Sequence, residues 1–346
     1  MTAPQRNGEP AAPVRRPQMA DVARIAGVSV ATVSRALSDS PLINAKTKAR
    51  IHAIVRDLNY SVNVAAKNLR QRTNRTVAFV IPFEAGSRQA ISDPFLLNIL
   101  GNVVDALTER QFELLVSRVD ASNLNHIAEL YQTGRVCGVI LIGQWHQHKE
   151  LNDLAALGVP LVVWGGALPG QSYSTVGGDN LKGGRDATER LLARGARRIA
   201  FLGDVELPEV GLRYAGYVDA HRAHGLRVPR SLVFQIPFAA HLAQARIDAI
   251  LNSKPRFDAV FATSDLLAML TITALRRIGL QVPADVLVVG YDDVPLAGTF
   301  NPPLTTVSQH IDQAGRMMVE TLLEVMEGRG KLSTLMPTDL VVRDSA

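Results

Sequence analysis

Apolar residues near the start of the chain recur at helical spacing in two short runs. Val22, Ala23 and Ile25 form one stripe and Val28, Val33 and Leu37 a second, with Gly27 between them. Stripes this short bury only against each other, and a glycine at the reversal accepts a left-handed backbone that a Cβ would resist. Ser29 falls where the second helix begins, its hydroxyl placed to accept a backbone N–H of the first turn. The pattern predicts a helix-turn-helix whose second helix turns Val30, Ala31, Ser34 and Arg35 away from the core, with Thr32 beside them. That face is where such a helix meets the DNA major groove. An ordinary helical hairpin is the competing reading.

Asn44 is placed to cap a third helix over 45–59, with Ile51, Ile54, Val55 and Leu58 at helical spacing to close a three-helix core. Lys46, Lys48, Arg50 and Arg56 are expected on its solvent or phosphate side. A further eight-residue helical pattern, 63–70, is too short to be stable alone and reads as a hinge that orders when held.

From Arg75 onward the pattern changes to short β-branched runs alternating with longer amphipathic segments, as in a parallel sheet covered by helices. Strands are predicted over 76–81, 112–118, 138–142, 161–164, 199–202, 258–263 and 286–291. Helices are predicted over 95–110, 181–194, 213–224, 241–252, 265–278 and 312–327. The series divides into two similar halves near residue 175. Ligands of such sheets bind beyond the carboxyl ends of the strands, where Phe95, Arg118, Gln144, Trp164, Asp179, Ser264, Asp265, Asp292 and Asp293 fall.

Charge sharpens the DNA reading. The chain carries a net +5, but residues 1–72 carry +8 and the remainder −3. A basic module on a mildly acidic body is the footprint of phosphate binding, because neutralised phosphates release condensed counterions. A 47% hydrophobic content over 346 residues supports two or three domains with sizeable cores. The single cysteine, Cys137, lies in an apolar run and reads as an inert buried thiol, in keeping with a reducing cytoplasm. Residues 1–16 lack a secretory apolar core and read as a disordered tail. No apolar window approaches the roughly 20 residues that span a bilayer, so no membrane partner is expected.

Several motifs stand in a familiar order. Ala-Gly-Val-Ser at 26–29, Thr-Val-Ser-Arg at 32–35, Leu58-Asn59-Tyr60 and Ala66-Lys67-Asn68-Leu69 are followed by Asp93-Pro94-Phe95, Gly178-Asp179-Asn180 and Arg213-Tyr214-Ala215-Gly216-Tyr217. Val288-Val289-Gly290-Tyr291-Asp292-Asp293 and Pro303-Leu304-Thr305-Thr306-Val307 complete the series. Over about residues 18–343 the chain resembles the lactose-repressor (LacI/GalR) family of transcription regulators. The resemblance implies an N-terminal all-α helix-turn-helix DNA-binding module plus hinge helix, then an α/β periplasmic-binding-protein-like body of two Rossmann-like subdomains. The implied divisions are a tail at 1–16, a DNA-binding domain at 17–62 and a hinge and linker at 63–74. A ligand-binding and dimerisation body follows at 75–343. Its first subdomain would comprise about 75–174 and 306–330, and its second about 175–305 and 331–343.

By the same resemblance Val30, Ala31 and Arg35 match base-contacting positions, and the guanidinium of Arg35 suits a bidentate pair with guanine. Leu69 matches a leucine inserted into the minor groove at the operator centre, with Asn63, Ala66 and Arg70 beside it on the DNA-binding hinge. Val62 stands where many members carry proline. Arg213 and Asp292 match an effector-contacting arginine and aspartate, and Ser264 falls at a pocket position beside Asp265, which joins the candidate set. Phe95, Trp164 and Trp145 offer apolar faces to a pyranose ring, and Arg118 and Gln309 complete the candidate effector set. The expected partners are a near-palindromic double-stranded DNA operator, a mono- or disaccharide effector and a second copy of the chain. No leucine heptad follows 340–343, so a dimer is expected rather than a tetramer.

Enzymatic signatures are lacking: there is no Gly-x-Gly-x-x-Gly after the first strand, no Walker lysine loop and no Gly-x-Ser-x-Gly turn. No cofactor is expected. His146 and His148 lack the partners of a metal site and read as a solvated loop, so no metal is expected either. Gly183-Gly184 is a weak anion-site signal. A sugar-binding protein without a DNA role leaves residues 18–72 unexplained, and a nucleoid architectural protein leaves the ligand cleft unexplained. A regulator responding to a non-sugar ligand such as a purine is the remaining alternative.

Overall fold

The computed structural model describes residues 17–58, 74–83, 90–254 and 256–346. The chain divides into two compact units, residues 1–73 and 74–346.

In the first unit, helices α1 (Met19–Ala26), α2 (Val30–Leu37) and α3 (Ala45–Asp57) pack as a trio. Val22, Ala23, Ala26, Val33, Ala36 and Ile51 form the core, with Val28, Leu37, Ile54, Val55 and Leu58 against it. Gly27 ends α1 in the left-handed region, φ 60°. Ser29 caps α2 by accepting from Thr32 N, and Asn44 caps α3 by accepting from Thr47 N. Two expectations are corrected. Ile25 is 45% exposed, and Ala26, not Ile25, is the third inward residue of α1, four positions after Val22. Lys48 leaves the basic face to bond the carbonyl and carboxylate of Asp39, at 3.0 and 2.6 Å, and so ties α3 to the turn after α2.

The second unit contains two six-stranded sheets among the described residues. Strands β1 (Thr76–Phe83), β2 (Glu113–Asp120), β3 (Gly138–Ile142), β4 (Leu161–Trp164), β5 (Ser174–Gly178) and β11 (Ser333–Met336) form the first, in the order β11-β5-β4-β3-β1-β2, all parallel. Strands β6 (Ile199–Leu202), β7 (Val233–Phe234), β8 (Ala259–Ala262), β9 (Leu287–Asp292), β10 (Thr305–Ser308) and β12 (Asp339–Val341) form the second, in the order β12-β10-β9-β8-β6-β7. Only the β10–β12 pair of that sheet is antiparallel. Central strands such as β1 and β3 are buried along nearly their whole length, as continuous Val/Ile/Leu runs require when helices cover both faces.

The chain passes between subdomains three times: after β5, after β10 and between β11 and β12. These crossings revise the expected inner boundaries. The break at 175 cuts β5, which pairs with β4 and β11 in the first sheet. β10 belongs to the second sheet, so the return to the first subdomain begins at the helix Ile311–Met326 and not at 306. β11 lies in the first sheet, whereas the resemblance implies that all of 331–343 belongs to the second subdomain. Ser174, Thr175, Val176, Gly177 and Gly178 form no apolar run, and their strand identity comes from partners. The second subdomain also extends beyond 343: Ser345 donates to Val288 O at 2.6 Å and accepts from Thr305 N at 2.8 Å, against the sheet.

Candidate functional site

In the helical unit, Val30 is 43% exposed, and Ala31 and Arg35 are exposed beside it. Thr32 and Ser34 are half-buried on the flanks. Val33 and Ala36, on the opposite face, hold the helix to the core, so the outward set is fixed by what lies beneath it. Arg35 has no carboxylate partner among the described residues, which leaves its guanidinium for a ligand. Asn63, Ala66, Leu69 and Arg70 lie outside the described residues, as do the tail at 1–16 and Val62.

In the body, both sheets reverse strand order once, between β1 and β3 in the first and between β6 and β8 in the second. Crevices form at the carboxyl ends of such switch points. Here Ile81 and Pro82 follow from β1, Ile142 and Gly143 from β3, and Ser264 from β8, and all line one cleft of about 730 Å³ open to solvent. Phe95, Trp145 and Trp164 line it too, together with Asp93, Glu209, Arg213 and Asp292.

The polar wall is built around Arg213, on the helix Pro208–Ala223 and only 5% exposed. Its Nε donates to Asn180 Oδ1 at 2.8 Å and its Nη1 to the carbonyl of Thr263 at 2.5 Å. The guanidinium lies 3.8 Å above the centre of the Tyr291 ring, a cation–π contact. It reaches this position because that helix crosses the helix Asn180–Ala193 at backbone contact. A Cβ on Gly184 would stand 2.1 Å from the Arg213 carbonyl, and one on Gly216 2.2 Å from that of Leu181. Gly184 therefore serves helix packing, while a Cβ on Gly183 would stand 2.3 Å from the Tyr291 hydroxyl, so that glycine makes room for the ring under Arg213.

Asp292 ends β9 with φ 114°, and Asp293 follows at φ 54°. Two successive aspartates in the region that favours glycine store strain, which persists only where neighbours hold it. Gln309 donates to Asp292 Oδ1 at 2.7 Å, and Arg343 pairs with Asp293 at 2.7 Å. Burial raises the Asp292 carboxyl well above the usual carboxylate range, Arg213 opposes that shift, and Asp265 and Asp93 add to it. Burial also raises Glu209. Its Oε1 accepts from the backbone N–H of Gln144, in the other subdomain, at 3.4 Å.

The opposite wall is mostly apolar. Phe95 and Trp164 stand 6.2 Å apart, inclined at 49°. Trp145, at φ 48°, packs against the core of the second subdomain. Gln144 fixes the loops beneath by bonding Gly166 N, Gly166 O and the Tyr173 hydroxyl.

Of the nine expected effector residues, Phe95, Trp145, Trp164, Arg213, Ser264 and Asp292 line the cleft, and Ser264 also caps the next helix by accepting from Leu267 N. Three do not. Asp265 is buried behind the cleft, accepting from Val294 N at 2.9 Å and the Thr306 hydroxyl at 2.5 Å, so it is a structural tie. Gln309 is buried on the second crossing and acts through Asp292. Arg118 lies on β2 with its guanidinium 4.9 Å over the Phe83 ring and Nε and Nη2 buried without partners. His148 is also reassigned: it opens the helix His148–Ala156 and bonds the Tyr173 hydroxyl at 2.9 Å, so it is no solvated loop residue.

Glu209 and Asp93 were not anticipated as lining residues. Glu209 stands four positions before Arg213 on one helix, so a cleft-facing Arg213 implies a cleft-facing Glu209. Asp93 enters the sequence reading only within the motif Asp93-Pro94-Phe95, and in the structure it also caps the helix Pro94–Thr108 by accepting from Phe95 N.

Residues 18–63 match the family described as bacterial regulatory proteins, lacI family, and residues 188–346 match the periplasmic binding protein-like domain. The HTH-type transcriptional regulator CelR of Thermobifida fusca is 34% identical over 337 residues, covering 96% of this chain and 98% of that protein. The HTH-type transcriptional repressor CytR of Escherichia coli (strain K12) is 29% identical over 332 residues, 94% of this chain and 95% of that one. Among solved structures, a CelR–cellobiose complex gives a TM-score of 0.70 at 32% identity, covering 96% of this chain and all of that one. The lac repressor dimer bound to operator and the anti-inducer ONPF gives 0.80 at 24% identity over 96% of this chain and 99% of that one, a likeness of fold.

Proposed function

The chain belongs to the lacI family of bacterial regulatory proteins, and from that premise we propose that it is a dimeric repressor whose operator affinity is set by a small carbohydrate in the cleft. The observation that carries the carbohydrate reading is the pairing of two unlike walls. Phe95, Trp145 and Trp164 offer apolar faces to the C–H surface of a sugar ring, while Arg213, Asp292 and Glu209 offer paired hydrogen-bonding edges to its hydroxyls. That the related CelR was solved with cellobiose supports this class of ligand. Val30, Ala31 and Arg35 are the proposed base readers, flanked by Thr32 and Ser34. Asn63, Ala66, Leu69 and Arg70 are the proposed hinge contacts. Two such modules on a two-fold axis suit a near-palindromic operator.

Among the described residues no helix is long and apolar enough to cross a membrane. The relatives named above are transcriptional regulators, and we read this chain likewise as a cytoplasmic regulator and not an enzyme. The switch works by differential binding: effector favours one arrangement of the two subdomains and operator another, and the coupling is reciprocal. A coupling of about 3 kcal/mol gives roughly a 150-fold change in operator affinity.

The test is calorimetric titration with mono- and disaccharides, repeated with a palindromic operator duplex present. A sugar that binds the protein alone and binds more weakly to its DNA complex supports the reading and marks an inducer; tighter binding marks a corepressor. Equal binding with and without DNA defeats the allosteric reading, and no binding by any sugar returns the effector class to a non-sugar ligand such as a purine.

A further inference from the structure

We infer that the cleft admits uncharged carbohydrates and rejects anionic ones, sugar phosphates and uronic acids alike, with Glu209 as the residue that enforces the choice. The inference rests on the reading of the cleft as a carbohydrate site. Three carboxyl groups line it, those of Asp93, Glu209 and Asp292, against one guanidinium, that of Arg213. No lysine is among the lining residues. The lone cation is already engaged: Nε and Nη1 hold Asn180 and the Thr263 carbonyl, and the Tyr291 ring covers one face. An entering phosphate or carboxylate would therefore meet like charge in a desolvated site with one partly committed donor group to receive it. Like-charge juxtaposition suppresses the wrong partner, and such a repulsive element is a means of specificity in its own right.

Glu209 is singled out among the three by its position. Asp93 has its Oδ1 committed as the cap of the helix Pro94–Thr108 by accepting from Phe95 N, and Asp292 accepts from Gln309. Glu209 accepts from its own backbone N–H and, by a long 3.4 Å contact across the cleft, from Gln144 N, and neither partner is a side chain. A ligand hydroxyl can donate to that carboxylate, whereas an anionic group can only be repelled by it. Burial already raises the carboxyls of Glu209 and Asp292, so a bound anion would either meet their charge or have to bring a proton with it, and both cost affinity.

The experiment compares matched ligands on the full-length protein by calorimetry: glucose, ribose, cellobiose and lactose, each beside its terminal phosphate ester and, for the hexose-based sugars, its C6 uronic acid. The wild type is expected to prefer the neutral member of the binding pair by roughly 30-fold or more. In Glu209→Gln, which keeps an acceptor for Gln144 N, that ratio is expected to shrink at least about tenfold, and Glu209→Asp is expected to restore it. The ratio is the readout, since a merely structural loss lowers both affinities together. Should either variant fail to fold, the wild-type ratio alone still decides. An anionic member that binds as tightly as its neutral partner, or a ratio unmoved in Glu209→Gln, overturns the inference and leaves the carbohydrate reading standing. No binding by any member, neutral or charged, overturns both.

Discussion

The wall of the cleft supplied by the first subdomain is Ile81, Pro82, Phe95, Leu96, Ile142, Trp145 and Trp164 with a single carboxylate, Asp93, whereas the second subdomain contributes Glu209, Arg213, Ser264 and Asp292 among Leu207, Val210 and Phe238. Both walls grow from the same plan, a parallel sheet with a switch point. They differ in how much scaffolding they need. An apolar wall needs only shape, and Ile81, Leu96, Ile142 and Trp164 are ordinary members of the core below, with Phe95 packed against it. A polar wall needs each buried donor and acceptor held and satisfied. That demand accounts for Asn180 and Thr263 behind Arg213, Gln309 behind Asp292, and the close crossing of the helices Asn180–Ala193 and Pro208–Ala223. Affinity is thus spread over area on one side, while discrimination is concentrated in a few held groups on the other.

The sharpest test of that division is Arg213→Lys. An ammonium cannot hold Asn180, Thr263 and a ligand hydroxyl from one planar fork. The affinity for the effector sugar is expected to fall about 100-fold, near 2.7 kcal/mol, as measured by calorimetry. Trp164→Leu removes ring area from the other wall without stranding a polar group. It is expected to weaken the same sugar only about fivefold, near 1 kcal/mol. Equal losses in the two variants would break the comparison.

The parts of this arrangement that were legible in the sequence are those set by local chemistry. Gly27, Ser29 and Asn44 act at helix ends through their own backbone and side-chain preferences, and they occupy the positions expected of them. The long apolar strands β1 and β3 and the amphipathic helices of the body declared themselves by period. β5, β10 and β11 did not, because each gains its identity from strands distant in the chain and the crossings between subdomains have no local signal. Arg213 and Asp292 were reached through family motifs. Glu209 was passed over, although its spacing from Arg213 contained the answer. Asp265 was assigned to the ligand because it follows a strand end. Strand-end position tells where a residue begins, and burial behind Ser264 decides what it touches.

Asp265 also supplies the test with the least effect on ligand affinity, because it acts on the scaffold of the polar wall alone. Burial pushes its carboxyl up to about 7, while the Thr306 hydroxyl and Val294 N–H, which both donate to it, oppose the shift. A carboxyl whose folded value lies above its unfolded one takes up its proton more readily in the folded state. Its contribution to stability is therefore full below the unfolded value near 3.8 and is lost as pH rises through about 7. Asp265→Asn cannot titrate and keeps an acceptor for Val294 N. The melting temperature of the wild type should exceed that of the variant most at pH 5, and the gap should narrow up to about pH 7 and level off above it. A gap that stays constant across that range would mean that Asp265 is ionised in the folded protein throughout. The polar wall would then stand on a buried anion held by its two donors, and the repulsion that Asp265 exerts on Asp292 would be present at every pH at which the cleft works.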